Sequence, residues 1–172
     1  MASVTGWESW AERWDEGPTE RPPTLTVDVH THLKVPAAAA EARKHFSPEF
    51  DPRSLYSSDE TNALNRAFHE SVDDRFTDPE QRLRDMETMG IDVQVLALAP
   101  PEYFYWLEED IATAVARTQN DHIADVVRQW PDRFRGGGTL PLAHAKAAVA
   151  EAQRLHDELG MRGIEIGSDV VG

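Results

Sequence analysis

Short β-branched or apolar runs alternate with amphipathic helical stretches along most of this chain, and that alternation restricts the fold more than any other feature. Leu25–Val29 is the first such run, and it ends at His30-Thr31-His32. Thr77-Asp78-Pro79-Glu80 combines an N-cap candidate, a proline for the first turn and an early acid, which predicts a helix start. Leu83, Met86 and Met89 give that helix its apolar side, and Gly90 ends it. Ile91–Leu98 reads as a strand buried on both faces. Past a loop over Pro100–Trp106, a helix over Glu109–Gln129 turns Ile111, Val115, Ile123, Val126 and Trp130 inward. Phe134–Leu142 holds a third strand. An alanine-rich helix over Ala143–Leu159 stops at Gly160, and Gly163–Gly167 forms a fourth strand.

This order implies parallel strands joined by right-handed crossovers. An open doubly wound sheet and a (β/α)8 barrel both satisfy it. A full barrel takes about 250 residues, so four strands in 172 residues correspond to the N-terminal half of a TIM-type barrel, an α/β fold. Two parts depart from the regular repeat. Residues 1–24 are expected to form an N-terminal arm, with Trp7, Trp10 and Trp14 on one helical face for docking on the same domain or on another copy. The partial barrel then occupies residues 25–172. Within it, residues 33–76 carry prolines, many charges and no sustained period, as expected of a lid or an insertion with small elements of its own.

Composition removes several functions. Seventeen basic against thirty-one acidic residues give a net charge of −14, which repels nucleic acid and anionic membranes alike. Without cysteine there is no disulfide, thiolate metal site or cysteine nucleophile. The first residues lack a basic and an apolar region, so no secretory signal is read, and no run reaches the length of a membrane span. A cytoplasmic location is the resulting expectation.

The chemistry concentrates in Asp28-Val29-His30-Thr31-His32. Side chains alternate along a strand, so Asp28, His30 and His32 are expected on one side. Two imidazoles at the carboxyl end of the first strand suit a divalent ion, since barrel active sites lie at that end. A bare His-x-His is weak evidence, because a solvated or core pair has the same spelling. The strand before it, the acid in phase, the long segment after it and the repeat downstream together favour ligands. Asp28 is assigned to an interior polar network rather than to the metal. Glu165 alternates with Ile164 and Ile166; if the isoleucines face the helices, Glu165 points into the barrel near the metal, as a supporting or substrate-contacting acid or as a partnered interior one. Gly136–Gly138 lack the loop-then-helix order and the Lys-Ser/Thr ending of a phosphate cradle, and are read as a strand crowded by neighbouring backbone. His45, His69, His122, His144 and His156 are read as surface or helix-face residues.

Beyond these local readings, the blocks VDVHTH (27–32), DPEQRLRDMETMGIDVQVLAL (78–98), PPEYFYW (100–106), QNDHIADVVRQWPDRFRGGGTLPL (119–142) and ELGMRGIEIGS (158–168) resemble, in order, the amidohydrolase-related family. Within it they are most similar to the aminocarboxymuconate-semialdehyde decarboxylase branch. The resemblance implies a metal-dependent barrel, usually with zinc, that removes CO2 non-oxidatively from a small aromatic or enoic carboxylic acid. Some relatives instead hydrolyse lactones or other carbonyl compounds. It makes His30 and His32 the first two metal ligands and puts a third ligand histidine, an acid/base histidine and a metal-binding aspartate on later strands, beyond residue 172. It also implies an arginine after the first strand for the substrate carboxylate. Arg43, Arg53, Arg66 and Arg75 all lie there, and no motif selects one. Tyr105 and Trp106 match a loop at the barrel mouth, as pocket walls or as packed anchors. Two further readings remain: a metal hydrolase of the same superfamily, and a non-catalytic half-barrel. Open strand edges would favour pairing of such a half-barrel with a second half, and a homo-oligomer is the expected state of the complete protein.

Overall fold

The computed structural model describes residues 24–46 and 57–170. Trp7, Trp10 and Trp14 of the expected arm, and Arg53, lie outside the described residues. Four strands form one sheet in sequence order: β1 (Val27–Leu33), β2 (Val93–Leu98), β3 (Phe134–Gly138) and β4 (Gly163–Ile164). Every pairing is parallel. The helices between them are α1 (Pro36–Arg43), α2 (Asp59–Ser71), α3 (Asp73–Thr77), α4 (Pro79–Met89), α5 (Glu109–Gln129) and α6 (Ala145–Asp157). None is long and apolar enough to cross a membrane.

The punctuation read in the sequence sets the helix ends. The Asp78 side chain accepts from the Glu80 backbone N–H at 2.8 Å and Pro79 opens α4. Gly90 closes it at φ 71°, in the left-handed region that only glycine enters at no steric cost. Between β1 and α4 the structure holds three helices where no period was legible. In α1, alanines lie on every side and mask the buried face, which is Ala38, Ala39 and Ala42. α2 buries none of its residues, so it has no apolar stripe to detect, although Ser58 caps it by accepting from the Thr61 N–H.

The core lies between the sheet and α4, α5 and α6. Met86, Leu96, Ile123, Phe134 and Leu155 are its most deeply buried large side chains. Ile111 and Trp130 of the expected inward stripe of α5 pack at its margin. The same helix buries two polar residues that an apolar pattern misses. Asn120 donates to the Thr139 carbonyl and to Glu151, and accepts from the Thr139 N–H. Glu151 of α6 also takes two donors from Arg154 and one from Arg117, so a buried carboxylate joins α5, α6 and the end of β3.

The β3 glycines are crowded, but by helix side chains more than by backbone. A Cβ on Gly136 would lie 3.0 Å from Ile123 Cγ2, and one on Gly138 only 2.5 Å from Leu155 Cδ1. Gly137, on the opposite face, would meet the Leu96 carbonyl at an ordinary 3.5 Å. The fourth strand is shorter than expected, with only Gly163 and Ile164 paired to β3. Leu25, Val27 and Val29 at one edge of the sheet, and Ile164 and Ile166 at the other, are exposed apolar side chains.

Candidate metal centre

β1 extends to Leu33, so both histidines lie within the strand rather than after it. Its register against β2 contains an irregularity: Asp28 pairs with Gln94 and Thr31 with Leu96, three steps against two. The extra residue is a bulge, and it changes the phase of the side chains. Asp28 therefore shares the face of Gln94, Thr31 and Leu33, turned toward the helices. His32 pairs with Ala97 on the opposite face. The expectation that Asp28, His30 and His32 share one side fails for this reason. Asp28 instead accepts from Gln94 Nε2 at 3.2 Å and from the His30 N–H at 3.3 Å.

The inner face gathers His30, His32 and Glu165. The two imidazole centroids are 4.6 Å apart and meet edge to face. The Glu165 carboxylate comes within 4.0 Å of His30 Nδ1 and 3.8 Å of His32 Nδ1. One donor atom from each of the three residues lies within 4.8 Å of the others, the only such group of three or more His or carboxylate side chains among the described residues. His32 Nδ1 is buried and has no hydrogen-bond partner, a costly state for a polar atom unless something binds there. Two imidazoles and a carboxylate are a donor set that divalent zinc or manganese accepts. On both counts the residues fit a metal ion.

Glu165 is held from two sides. Its N–H donates to the Gly138 carbonyl at 2.9 Å, which fixes the strand beyond β4. Its Oε1 accepts from the Tyr103 hydroxyl at 3.0 Å. Tyr103 was not singled out in the sequence, and its only signal there was membership of the aromatic loop. Burial, and next the hydrogen bond to Glu165, raise the Tyr103 hydroxyl well above the usual phenol range, so it stays protonated and donates. Tyr105 stacks on Tyr103 with centroids 5.4 Å apart, and its hydroxyl accepts from the Gly167 N–H at 3.0 Å. Burial raises its pKa too, partly offset by that backbone bond. Between the two tyrosines Phe104 has φ 48°, an uncommon conformation for a side-chain-bearing residue. Trp106 sits edge-on to Phe46 and Phe104 and packs against the core.

A cleft of about 960 Å³ opens beside His32, walled by α1 and α2. Arg43 and Arg66 line it, as do Lys34 and His69, whereas Arg75 lines a different hollow and pairs with Asp85 at 3.7 Å. Lys34 is tied to Asp73 at 3.0 Å. His144 and Asp169 stay out of the donor group; His144 Nε2 lies 2.8 Å from the Leu107 carbonyl. His122, beneath α4, is half-buried, and burial lowers its pKa.

Residues 27–172 match a family model described as Amidohydrolase. Over 150 residues the chain is 31% identical to the 2-amino-3-carboxymuconate-6-semialdehyde decarboxylase of Dictyostelium discoideum, covering 87% of this chain and 42% of that protein. Over 82 residues it is 38% identical to the gamma-resorcylate decarboxylase of Rhodococcus jostii, covering 48% and 25%. Among solved structures it is similar to a 5-carboxyvanillate decarboxylase from Novosphingobium aromaticivorans with bound manganese and 3-methoxy-4-hydroxy-5-nitrobenzoic acid. The TM-score is 0.68 at 25% identity, over 86% of this chain and 43% of that one. The chain thus spans well under half the length of the relatives it matches. Its parallel sheet with covering helices is half of a TIM-type barrel.

Proposed function

Because the chain belongs to the amidohydrolase family, we propose that it supplies the N-terminal part of a metal-dependent, non-oxidative decarboxylase of aromatic or enoic carboxylic acids. The observation that carries this reading is the His30–His32–Glu165 group, with its orphaned His32 nitrogen beside a cleft that Arg43 and Arg66 line together with Glu70, Asp73 and Glu102. His30 and His32 hold the ion and Glu165 lies close enough to complete the set. When bound, a divalent cation supplies Lewis acidity and a fixed point for orienting the substrate. The manganese-bound relative supports a divalent ion; zinc, which the same donors accept, is the metal we assign.

The protein's own side chains do the remaining work. Arg43 and Arg66 face the cleft from two different helices and hold the substrate carboxylate by paired N–H donors. Tyr103 keeps the Glu165 carboxylate aimed at the histidines. Tyr105 and Trp106 fix the loop behind it, and Asp28 braces the histidine strand from the helix side. The proton that replaces CO2 on carbon comes from a histidine outside residues 1–172, the role that family resemblance assigns to a later strand.

The test uses the full-length protein, a panel of aromatic and enoic carboxylates, and elemental analysis. We expect CO2 release, with His30→Ala and His32→Ala losing metal and activity together. Wild-type metal content in both variants would remove the metal assignment. Turnover of lactones or amides with no CO2 from any carboxylate would make the protein a hydrolase.

A further inference from the structure

β1 carries the two histidines, and its pairing with β2 is interrupted at the first of them and resumes before the second. The bulge takes residues 29 and 30 out of register with β2. The Leu33 carbonyl accepts from Ala99 N–H on the β2 side, so the neighbouring His32 carbonyl and Lys34 N–H face the other edge of the strand. At that edge Lys34 N–H donates to the Phe76 carbonyl. The His32 carbonyl accepts from Arg82 Nη2 at 2.6 Å.

Arg82 arrives from the first turns of α4. The same Nη2 donates to the Arg75 carbonyl at 2.9 Å, and Nη1 donates to Gln94 Oε1 at 3.3 Å. Gln94 is buried and passes the connection on, Nε2 to Asp28 Oδ2 at 3.2 Å, and Asp28 Oδ1 accepts from the His30 N–H. The chain of bonds runs from the backbone of one histidine, through Asp28, Gln94 and Arg82, to the backbone of the other. It bridges the bulge on the helix side, while both imidazoles occupy the opposite face.

A partly buried guanidinium is a costly brace. Among the described residues Arg82 makes no ion pair within 4 Å, and burial lowers its pKa even with Asp85 and Asp28 nearby. Its acceptors are two backbone carbonyls and a side-chain amide, in three directions that a planar fork meets and an ammonium on a flexible stem does not.

We infer that Arg82 is a positioning residue for the metal centre, holding His30 and His32 in chelating geometry through their backbone by way of Gln94 and Asp28. This inference rests on the metal reading above.

The experiment titrates metal-free full-length protein with Co(II), reading affinity and the visible d–d spectrum, for wild type, Arg82→Lys, Arg82→Met and Gln94→Met. Unfolding of each metal-free protein is measured in parallel, with Trp130→Ala as a destabilised control: Trp130 precedes β3 and packs edge-on to Phe134 at the margin of the core. We expect the three circuit variants to bind Co(II) about 10–100-fold more weakly, the range for residues that orient metal ligands, and with an altered spectrum. Trp130→Ala should keep wild-type affinity and spectrum despite its lower stability. Wild-type affinity and spectrum in Arg82→Lys and Gln94→Met would overturn the inference, as would an equal loss of affinity in Trp130→Ala. If Arg82→Met does not fold, Gln94→Met decides, since it cuts the circuit and leaves the guanidinium bonds to the His32 and Arg75 carbonyls in place. Failure of wild type itself to bind Co(II) would instead overturn the metal reading.

Discussion

Replacing Gly138 with alanine tests whether β3 is set by the helices packed on it. An alanine Cβ there would lie 2.5 and 2.7 Å from the two Leu155 methyl carbons. Non-bonded carbons rest at about 3.5–4.0 Å, so the overlap is close to 1 Å. Leu155 is 1% exposed and cannot swing into solvent. Forcing one methyl into such a core costs about 1–3 kcal/mol. Loss of glycine's freedom in the unfolded chain returns about 0.4–1 kcal/mol, because the backbone here is not in the left-handed region. The net expectation is a loss of about 1–2 kcal/mol. Gly137→Ala is the internal control: its nearest neighbour would be 3.5 Å away, so only the unfolded-chain gain remains and stability holds or rises. The assay is urea unfolding of the full-length variants, followed by far-ultraviolet circular dichroism. A Gly138→Ala midpoint equal to or above that of Gly137→Ala would refute the packing argument. A second readout follows from the Gly138 carbonyl, which holds the Glu165 N–H: Gly138→Ala should also weaken metal binding, and Gly137→Ala should not.

Three other outcomes are expected. Asn120→Ala removes three bonds and leaves the Thr139 backbone and Glu151 short of partners, so unfolding should be easier by about 2–4 kcal/mol; an unchanged denaturation midpoint would show that water replaces them. Burial depresses the His122 pKa in the folded state, so its contribution is intact above the unfolded value of 6.5 and declines as pH falls from there toward the folded pKa. His122→Gln should flatten the stability–pH curve where pH falls below 6.5, and an unaltered slope there would acquit the residue. Residues 1–172 produced alone should associate in sedimentation and lack turnover, since apolar side chains are exposed at both edges of the sheet; a monomer with cooperative unfolding, tight metal binding and CO2 release would contradict this.

The strand–helix alternation was legible because its punctuation is local. Asp78, Pro79 and Gly90 act within one turn of themselves, and the structure places the ends of α4 where they predict. The bulge in β1 was not legible, because it depends on how Asp28 and Thr31 pair with another strand, and simple alternation assigned Asp28 to the wrong face. The three helices between β1 and α4 could be expected only as small elements without bounds: α1 is too uniformly alanine and α2 too uniformly exposed to show a period, and α3, with 5 residues, is too short for one. His30 and His32 stood out as a pair, and alternation with Ile164 and Ile166 put Glu165 near them only conditionally, because its approach depends on the register of β3 with β4, across more than a hundred residues of chain. Tyr103 and Arg82 were invisible as site residues because each works by a contact at long sequence separation.

The cleft beside His32 has walls of very unequal depth. On one side it meets the ends of β1 and β2 at His32, Lys34 and Ala99, next to the buried Leu33 and Leu98, while α2, which brings Arg66 and His69, buries nothing. Backbone amides in β2 exchange with solvent only through large openings of the domain. Those of α2 need only a local one, because few apolar contacts are lost when it lifts. Solvent deuterium should therefore enter α2 orders of magnitude sooner than β2, and a molecule bound between Arg66 and Arg43 should slow that entry selectively. The helix then becomes a reporter of occupancy: its exchange rate reads whether the cleft is filled without any need to know which acid fills it.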